Sequence, residues 1–524
     1  MVLLLVLLPI GYVVLSLLAP SSDGWQHIVE HLLWTYTQNS LWLLLGVGAL
    51  VLLLGVPAAW LTAAYRFPGS KHFDWLLMTP LAIPTYIIAT VYAQMCSYTG
   101  VIQRWYGQLT GGDPLPFEML SMEGAVLMMG LVLYPYTYII TRASFRQQSA
   151  TLLEAGRLMG DSLVQAFWKI GLPLARPAIV GSLFLVMMEV LNEYGTVKYY
   201  GVATFTTGIF RAWLSMGDAS AATRLSACLL LVIVALIFVE RWQRGKGEYA
   251  AAPKSQSPLA RRRLHGVWGW LAFAYCSIPL LFGLIIPLAQ LLYWAWETKG
   301  EALTEDFGSW VFNTLMAGGV AALLTVTAAL VMTYTVRLYR GKRVRALSKL
   351  STLGYAIPGA VTAVGIMATF IQADRGMNWA IREMGGEGIG LVLSGTVSAL
   401  IAAYLIRFLA IAYNPIEAGF EKSTQQLDEA SRGMGYGPMA TLRKVNLPLL
   451  RTTLLSAMLM VGIEVMKELP LTLILRPFNF DTLATKAFEL ASDEQIQASS
   501  SAALLIILAG MIPVISLIRV LDKR

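Results

Sequence analysis

Charged residues are scarce in this sequence. Asp, Glu, Lys and Arg together make up 13% of its 524 residues, whereas 56% of the residues are hydrophobic and the mean hydropathy is +0.62. Soluble globular domains carry about 25% charged residues, so the composition excludes that class. The sequence therefore predicts a protein that is embedded in a lipid bilayer.

Cysteine and histidine are also rare. The three cysteines lie in or beside apolar segments without metal-ligand spacing, and we interpret them as packing residues: Cys96, Cys228 and Cys276. Of the four histidines, only His27 and His31 are spaced to share one helix face. That pair could bind a metal ion, but the stretch from Trp25 to Trp34 is more typical of an amphipathic segment at the membrane interface.

The motifs of nucleotide hydrolysis and of catalysis are missing. The sequence has no Gly-x-x-x-x-Gly-Lys-Ser/Thr motif, and its hydrophilic segments are too short to form a nucleotide-binding domain. A membrane-embedded enzyme would need histidines, aspartates or nucleophiles that converge at one membrane depth, and none are seen. We therefore predict that the chain is not an enzyme, has no catalytic residue and binds no cofactor itself.

About twelve apolar stretches are long enough to cross the hydrocarbon core of a bilayer as helices. In the first half of the chain they span approximately 2–19, 40–64, 75–97, 123–141, 177–193 and 222–240. In the second half they span approximately 267–293, 310–335, 350–371, 389–413, 452–474 and 499–520. The first stretch has no basic n-region and ends in a poor cleavage site, Ala19-Pro20, so we interpret it as a retained helix.

One constellation of residues occurs twice, 275 positions apart. The first copy consists of Glu154, Ala155, Gly156, Gly160, Ile170, Leu172 and Pro173. The second copy consists, at matching intervals, of Glu429, Ala430, Ser431, Gly435, Val445, Leu447 and Pro448. So long a match indicates internal duplication, and the sequence predicts an all-α membrane protein with two homologous six-helix halves.

The two halves are joined by a basic segment. The first half covers 1–240, with a core at about 40–240, and the second covers 266–524, with a core at about 310–520. The segment 241–265 between them is basic, contains proline and small residues, and has no apolar periodicity. We predict a solvated cytoplasmic linker near anionic lipid headgroups, and not a nucleic-acid site, which would need interleaved aromatic residues.

Positive charge is distributed unevenly between the loops on the two sides of the membrane. If the N-terminus is cytoplasmic, most of the 39 Lys and Arg residues fall in the loops of that side. This asymmetry satisfies the positive-inside rule, which the reverse orientation would violate. We therefore predict cytoplasmic N- and C-termini, with both copies of the repeated constellation facing the cytoplasm.

The repeated constellation resembles the EAA signature of the membrane-spanning subunits of bacterial ATP-binding-cassette (ABC) importers. Two copies in one chain resemble a fused pair of permease domains with the type I fold. The resemblance implies that each copy forms a short coupling helix that docks on an ATP-hydrolysing subunit. Glu154 and Glu429 would then lie near the positive end of a helix dipole, and Gly160 and Gly435 would permit a sharp turn. An ordinary amphipathic connector on the membrane surface is the alternative.

The same resemblance implies partners and a location. ATP would be used by two separate ATP-binding-cassette subunits on the cytoplasmic side, and a periplasmic substrate-binding protein would deliver the cargo. The chain would lie in the bacterial inner membrane, in contact with lipid and with no nucleic acid. A secondary active transporter could also have twelve helices in two halves, but it would not need the duplicated cytoplasmic signature.

Two acidic pairs follow the repeated constellation. Each half places two glutamates four residues apart within an apolar stretch: Glu189, Glu193, Glu464 and Glu468. Ionisable residues inside a membrane favour a functional role, and this spacing would put both carboxylates of a pair on one helix face. If the halves pack about a pseudo-two-fold axis, the four could line a shared translocation pathway. A structural role for them stays open, and no metal ligand set is predicted.

Cargo is indicated by a second resemblance, in the segments that would face outwards. The stretches from Asn192 to Asp218 and from Lys467 to Ala484 resemble ferric-iron importer permeases. They also match each other at the same offset, which pairs Phe205 with Phe480 and Thr207 with Thr482. The resemblance implies ferric iron, and carboxylates suit a hard cation, although Lys467 could neutralise one of them. Thiamine, polyamine and phosphonate importers share this architecture and remain alternatives.

Overall fold

The computed structural model describes residues 2–147, 165, 167–244, 261–298, 306–339, 341–422 and 425–522. This part of the chain is helical almost throughout, which confirms the predicted all-α class. In it, a two-residue parallel pair forms the single sheet, between β1 (Tyr65–Arg66) and β2 (Arg262–Arg263).

The helices are numbered here in their order along the chain. Those before residue 245 are α1 (Val2–Leu15), α2 (Asp23–His31), α3 (Leu33–Ala64), α4 (Ser70–Leu76), α5 (Thr85–Cys96), α6 (Val101–Thr110), α7 (Met122–Gln147), α8 (Leu172–Asn192), α9 (Gly195–Tyr199), α10 (Phe205–Phe210) and α11 (Ala219–Arg244). Those after residue 260 are α12 (Val267–Leu280), α13 (Ile286–Glu297), α14 (Phe307–Tyr339), α15 (Lys342–Ser351), α16 (Gly359–Glu383), α17 (Val397–Lys422), α18 (Gln425–Gly433), α19 (Pro438–Thr441), α20 (Leu447–Lys467), α21 (Pro470–Leu475), α22 (Leu483–Ser492) and α23 (Ile496–Asp522).

The predicted membrane segments are confirmed. Among the described residues, 9 helices are long and apolar enough to cross a bilayer, and three further helix pairs qualify as broken spans, which gives up to 12. Each of the twelve predicted stretches overlaps one of them. The bent pairs were not predicted, because hydropathy reports the length of an apolar stretch and not its direction.

Two of the bent pairs break at the same tripeptide. Ala-Ile-Pro stands at 82–84 and again at 356–358, where the helix direction changes by 88° and 112°. Proline disfavours the helical conformation in the residue before it. Ile83 and Ile357 are accordingly extended, with ψ of 120° and 129°. A sequence-encoded break therefore interrupts the third span of each half.

The described chain forms two compact units, and these do not coincide with the two sequence halves. Unit 1 consists of Met1–Glu30, Gly208–Leu230 and Leu303–Lys486. Unit 2 consists of His31–Thr207, Leu231–Ala302 and Ala487–Arg524. Each unit is thus built around the core of one half and takes its remaining segments from the other half.

Glycines let neighbouring helices approach closely within each unit. In unit 2, a Cβ atom on Gly55 would lie 3.0 Å from the carbonyl oxygen of Tyr134, which joins α3 to α7. In unit 1, a Cβ atom on Gly318 would lie 3.2 Å from the carbonyl oxygen of Gly462, which joins α14 to α20. Such contacts increase the van der Waals packing on which membrane helix association depends.

The end of the predicted linker is ordered in unit 2. β2 pairs with β1 in parallel register, Tyr65 with Arg262. Beside it, Arg261 donates a hydrogen bond of 2.6 Å to Asp74, which also pairs with Arg142 at 2.6 Å. Composition alone does not predict this docking, since it depends on an acceptor far away in the sequence. Residues 245–260 lie outside the described part.

Candidate functional site

The first copy of the repeated constellation is described only in part. Glu154, Ala155, Gly156 and Gly160 lie outside the described residues. Ile170 lies in a turn of π-helix, Phe167–Gly171, and Leu172 and Pro173 begin α8. The second copy, by contrast, lies wholly within the described residues.

The second copy begins in α18, a nine-residue helix that we call the docking helix (Gln425–Gly433). Its first turn contains Asp428, which is buried, and Glu429 follows directly and is exposed. Ala430 is also exposed, whereas Ser431 is fully buried. The helix therefore has one face toward unit 1 and another toward solvent.

The turn expected at Gly435 ends the docking helix. Gly435 has φ of +86°, a left-handed conformation that glycine adopts without steric cost. The N–H of Tyr436 donates to the carbonyl of Ser431 at 3.1 Å, and the N–H of Gly435 donates to that of Arg432 at 2.9 Å. This pair of bonds is the Schellman motif, which satisfies the last carbonyl groups of a helix.

A buried ion pair anchors the docking helix to a membrane helix. Nε of Arg337, near the end of α14, lies 2.5 Å from Oδ2 of Asp428, and the two side chains are 8% and 10% exposed. The same guanidinium donates to the carbonyl of Phe420 at 2.6 Å and lies over its ring. One arginine thus joins α14, the end of α17 and the docking helix.

Two further hydrogen bonds hold the segment after the turn. The hydroxyls of Ser431 and Thr441 are 2.9 Å apart and buried. The hydroxyl of Tyr334, one turn before Arg337 in α14, donates to the carbonyl of Pro438 at 2.6 Å. Displacement of the docking segment must therefore move α14 or break these contacts.

Large apolar side chains are exposed on and after the docking helix. They are Leu427, Met434, Tyr436 and Met439, with exposed fractions of 41%, 68%, 36% and 62%. Exposed charges stand among them, including Glu429, Arg432 and Lys444, whose ammonium group lies 4.3 Å from the centre of the Tyr436 ring. A mixed apolar and charged patch of this kind is typical of a protein-binding surface.

The Leu-Pro end of each copy starts a membrane helix. Pro173 and Pro448 stand at the first turn of α8 and α20, after Leu172 and Leu447. A five-residue π-turn precedes each helix, and the second turn, Leu442–Asn446, contains Val445. Because proline has no N–H for the carbonyl four residues earlier, the regular α-helical bonding is interrupted there.

The second glutamate of each predicted pair lies at the end of its helix. α8 ends at Asn192 and α20 ends at Lys467, so Glu193 and Glu468 lie just beyond the helices in extended conformation, with ψ of 129° and 116°. The next short helix begins two residues later in each case. We call Glu193 and Glu468 the joint glutamates, because each lies at the break between two helices.

Glu193 accepts hydrogen bonds from two directions in unit 2. Its Oε1 accepts the N–H of Thr196 at 2.8 Å, which satisfies a free donor at the start of α9. Its Oε2 accepts the hydroxyl of Thr85, which directly follows the Ala-Ile-Pro break. Its carbonyl accepts the hydroxyl of Thr206 at 2.8 Å. Glu193 therefore links the break in the third span to the break after α8.

Glu468 makes the equivalent link in unit 1 with different donors. Its Oε1 accepts the N–H of Leu471 at 3.3 Å, the repeat-related counterpart of Thr196. Its Oε2 lies 3.2 Å from Nε of Arg407, whose Nη1 donates to the carbonyl of Ile357 at 2.8 Å. A Cβ atom on Gly359, at the Ala-Ile-Pro break, would lie 2.5 Å from Glu468 Oε1. Glycine therefore leaves room for the carboxylate.

The first glutamate of each pair remains on its helix. Glu189 in α8 and Glu464 in α20 are half-buried, one turn before the respective joint. Nζ of Lys467 lies 3.7 Å from Oε1 of Glu464, so the lysine does pair with a neighbouring acid. Glu189 and Glu193 belong to unit 2, and Glu464 and Glu468 belong to unit 1. A pathway shared by all four stays a prediction.

The predicted register between the two outward-facing segments is wrong by three residues. The N–H of Thr204 donates to the Thr207 hydroxyl at 2.8 Å, and the N–H of Thr482 donates to the Thr485 hydroxyl at 2.9 Å. Thr207 therefore corresponds to Thr485, at an offset of 278 positions. α22 begins three residues further from the start of α21 than α10 begins from the start of α9, and a constant offset cannot represent this difference.

Neighbouring contacts confirm the shifted register. In unit 2, the amide of Asn39 donates to the carbonyl of Ala203 at 2.9 Å. In unit 1, the amide of Asn313 donates to the carbonyl of Asp481 at 3.1 Å. Ala203 and Asp481 each precede the threonine that begins the hydrogen-bonded turn. A repeated asparagine contact therefore holds each outward-facing segment in its unit.

His27 and His31 lie on α2, as the helical spacing suggested. In the part of the chain that the structure describes, no group of three or more His, Cys, Asp or Glu residues is arranged to hold a metal ion.

Comparison with known proteins gives a family match in both halves. The sequence profile of the family described as binding-protein-dependent transport system inner membrane component matches residues 51–245 and 325–524. The two matched regions contain the two copies of the repeated constellation.

Two of the relatives are named as ferric permeases. The chain is 27% identical to the Fe(3+)-transport system permease protein FbpB 2 of Haemophilus influenzae over 482 residues, which covers 91% of this chain and 88% of the relative. It is 22% identical to the ferric transport system permease protein FbpB of Actinobacillus pleuropneumoniae over 446 residues, which covers 80% of this chain and 61% of that relative.

Proposed function

The chain belongs to the family of binding-protein-dependent transport system inner membrane components, and on that premise we propose that it is the permease subunit of an ABC importer for ferric iron. The observation that carries the proposal is the similarity to a ferric permease over 91% of this chain. The half-buried acidic residues are compatible with a cation cargo, because hard cations prefer oxygen ligands.

The proposal includes partners and an orientation. Two ATP-binding-cassette subunits would bind on the cytoplasmic side and hydrolyse ATP, and a periplasmic binding protein would deliver iron on the other side. The family description supports dependence on a binding protein and a place in the inner membrane. The excess of Lys and Arg in the loops of one side supports cytoplasmic N- and C-termini.

Coupling would act through the docking helix. Its exposed residues, among them Leu427, Glu429 and Met434, would contact the ATPase, while Asp428 remains bound to Arg337 on the other face. Closure of the ATPase dimer would then displace α14 and α17 through one buried contact. Rigid helices that shift as bodies are a common means of switching between two states.

The two kinds of glutamate would have separate roles in transport. Glu468 is 7% exposed and engaged by Arg407, and Glu193 is engaged by Thr85 and Thr196, so we assign both to holding the breaks. Glu189 and Glu464 are the better candidates for contact with cargo, since they lie within membrane helices and are half-buried.

Uptake of radioactive iron into proteoliposomes that contain the chain, its ATPase and its binding protein tests the proposal. We expect uptake to require internal ATP and to continue after the proton gradient is collapsed. Uptake that follows the gradient without ATP would show a secondary transporter. Uptake of thiamine or polyamine without uptake of iron would support the importer function but show that ferric iron is not the cargo.

The role of the half-buried glutamates is tested in the same vesicles. The double variant Glu189→Gln/Glu464→Gln keeps the size of both side chains and removes their charge. We expect iron uptake to fall at least tenfold, with ATP hydrolysis retained. Unchanged uptake would assign these residues a structural role, and the matched control is Glu123→Gln, outside both acidic pairs.

A further inference from the structure

A basic helix follows directly after α14 in unit 1. α15, which we call the basic helix (Lys342–Ser351), contains four cations and no acidic residue in ten positions. The cations are Lys342, Arg343, Arg345 and Lys349, and all four are exposed. The proposed transport function assigns no role to these four cations.

The basic helix has three distinct sides. Val344, Ser348 and Ser351, spaced four and three residues apart, form the side that packs on the protein, and both serines are buried. Lys342, Arg345 and Lys349 have the spacing of a second side. Leu347 and Leu350 form a third side, on which Arg343 also lies, and are 47% and 43% exposed. A helix that exposes leucines beside several cations is typical of a membrane surface.

The basic helix runs in a different direction from the apolar helix that follows it. It ends in the Ala-Ile-Pro break, after which α16 runs at 112° to it. If α16 runs along the membrane normal, a helix at this angle to it lies closer to the membrane plane than to the normal. Tyr339, the last residue of α14, is 73% exposed just before the basic helix, and tyrosine is enriched at the membrane–water interface.

The corresponding helix in the first half of the chain lacks this excess of positive charge. The helix before the first Ala-Ile-Pro break, α4, has seven residues and carries Lys71, His72 and Asp74. Its acid is bound to Arg142 and Arg261. The break therefore does not require a basic helix before it.

We propose that the basic helix binds the anionic headgroups of the membrane leaflet on the docking-helix side, with its leucines in the acyl boundary and its cations on the phosphates. Arg337, five residues before the basic helix, forms an ion pair with Asp428 of the docking helix. Lipid binding by the basic helix would therefore fix the end of α14 next to that ion pair. This inference goes beyond transport and does not depend on the cargo.

The test measures lipid enrichment. The chain is placed in nanodiscs that contain phosphatidylcholine and phosphatidylglycerol, and the phospholipids retained after release are counted by native mass spectrometry. We expect enrichment of phosphatidylglycerol that falls as salt rises, because headgroup attraction is screened. Each cation replaced by glutamine should weaken the binding about fivefold, the equivalent of ~1 kcal/mol.

Matched variants locate the effect. Lys342→Gln/Lys349→Gln should lower the enrichment, and Lys342→Arg/Lys349→Arg should retain it. Arg375→Gln/Arg382→Gln removes the same charge from exposed positions of α16 beyond its apolar part and should change nothing. Equal thermal unfolding of all variants in phosphatidylcholine would show that the chain remains folded.

Three outcomes would overturn the proposal. Unchanged enrichment after replacement of all four cations would show that the helix does not select anionic lipid. Competition by inorganic phosphate as strong as that by phosphatidylglycerol would indicate a phosphate site. Loss of ATPase binding with unchanged lipid enrichment in the four-cation variant would assign the surface to the protein partner.

Discussion

Arg407 and Glu468 form a buried ion pair in unit 1, with Nε and Oε2 3.2 Å apart and both side chains 7% exposed. The arginine also donates to the carbonyl of Ile357, and the glutamate accepts the N–H of Leu471. Helix α17 is thereby connected to two places where the backbone leaves the helical conformation. A buried charge pair with these additional hydrogen bonds is costly to break from one side.

Replacement of Arg407 by valine should destabilise unit 1. Valine is the residue at the repeat-related position 132, but here it would leave the Glu468 carboxylate buried without its cation. We expect a loss of about 3–5 kcal/mol in the free energy of unfolding. The measurement is unfolding of the purified protein in mixed micelles. Lys467→Met, which removes the more exposed pair with Glu464, should cost only about 0–1 kcal/mol.

A double variant tests whether Thr85 in unit 2 and Arg407 in unit 1 are alternative partners that hold the carboxylates of the joint glutamates. Arg407→Val/Gly359→Thr reproduces the arrangement of unit 2, where Thr85 donates to Glu193. With the guanidinium gone, the carboxylate has room to move away from the new Cβ atom. We expect the double variant to recover part of the stability that Arg407→Val loses. If the double variant is less stable than Arg407→Val, a threonine at position 359 cannot replace Arg407 as the partner of Glu468.

Gly359 should not tolerate even a methyl group. A Cβ atom there would lie 2.5 Å from Glu468 Oε1 and 3.2 Å from the side chain of Leu471. We expect Gly359→Ala to lower the thermal unfolding temperature, since the carboxylate must leave Arg407. Gly376→Ala in the same helix has open space and should be neutral or stabilising by up to about 1 kcal/mol. Equal effects at the two positions would contradict the expectation.

Gly435→Ala should separate ATP hydrolysis from uptake. An L-residue at φ of +86° costs about 1–2 kcal/mol, and the turn after the docking helix would rearrange. We expect iron uptake to fall while the basal ATPase activity of the assembled importer persists. Gly433→Ala, two residues earlier with open space around it, should retain coupling. Coupled uptake in Gly435→Ala would show that this turn is dispensable.

Thr207→Val and Thr485→Val should have equal effects on stability. Each hydroxyl accepts the N–H of the threonine three residues earlier, Thr204 or Thr482, at the start of a short helix. Loss of such a cap costs about 1 kcal/mol, which unfolding of each variant would measure. A large difference between the two variants would contradict the register with an offset of 278.

The sequence predicts the membrane segments and the docking turn well, because both depend on local information. Apolar stretches report spans directly, and a glycine after a short amphipathic helix predicts a left-handed cap. The joints are different. The donors to Glu193 and Glu468 include Thr85 and Arg407, which lie 108 and 61 positions away. Contacts at such separations decide where α8 and α20 end, and periodicity does not report them.

The outward-facing segments show the same limit. Residues Thr207 and Thr482 match in type and at the offset of the docking segments, so the sequence pairs them. Hydrogen bonds of Asn39 and Asn313 to Ala203 and Asp481 place the true correspondence three residues further on. Three additional residues before Thr482 change the register without changing the type of the paired residue, and only the tertiary contacts distinguish the two alignments.

The composition of the two units has a consequence for biosynthesis. Unit 2 is complete only when Ala487–Arg524 has been made, and unit 1 needs Leu303–Lys486 to join its N-terminal segment. A ribosome that has translated the first 302 residues has therefore completed neither unit. The helices made first therefore enter the bilayer before the segments that complete their own unit exist.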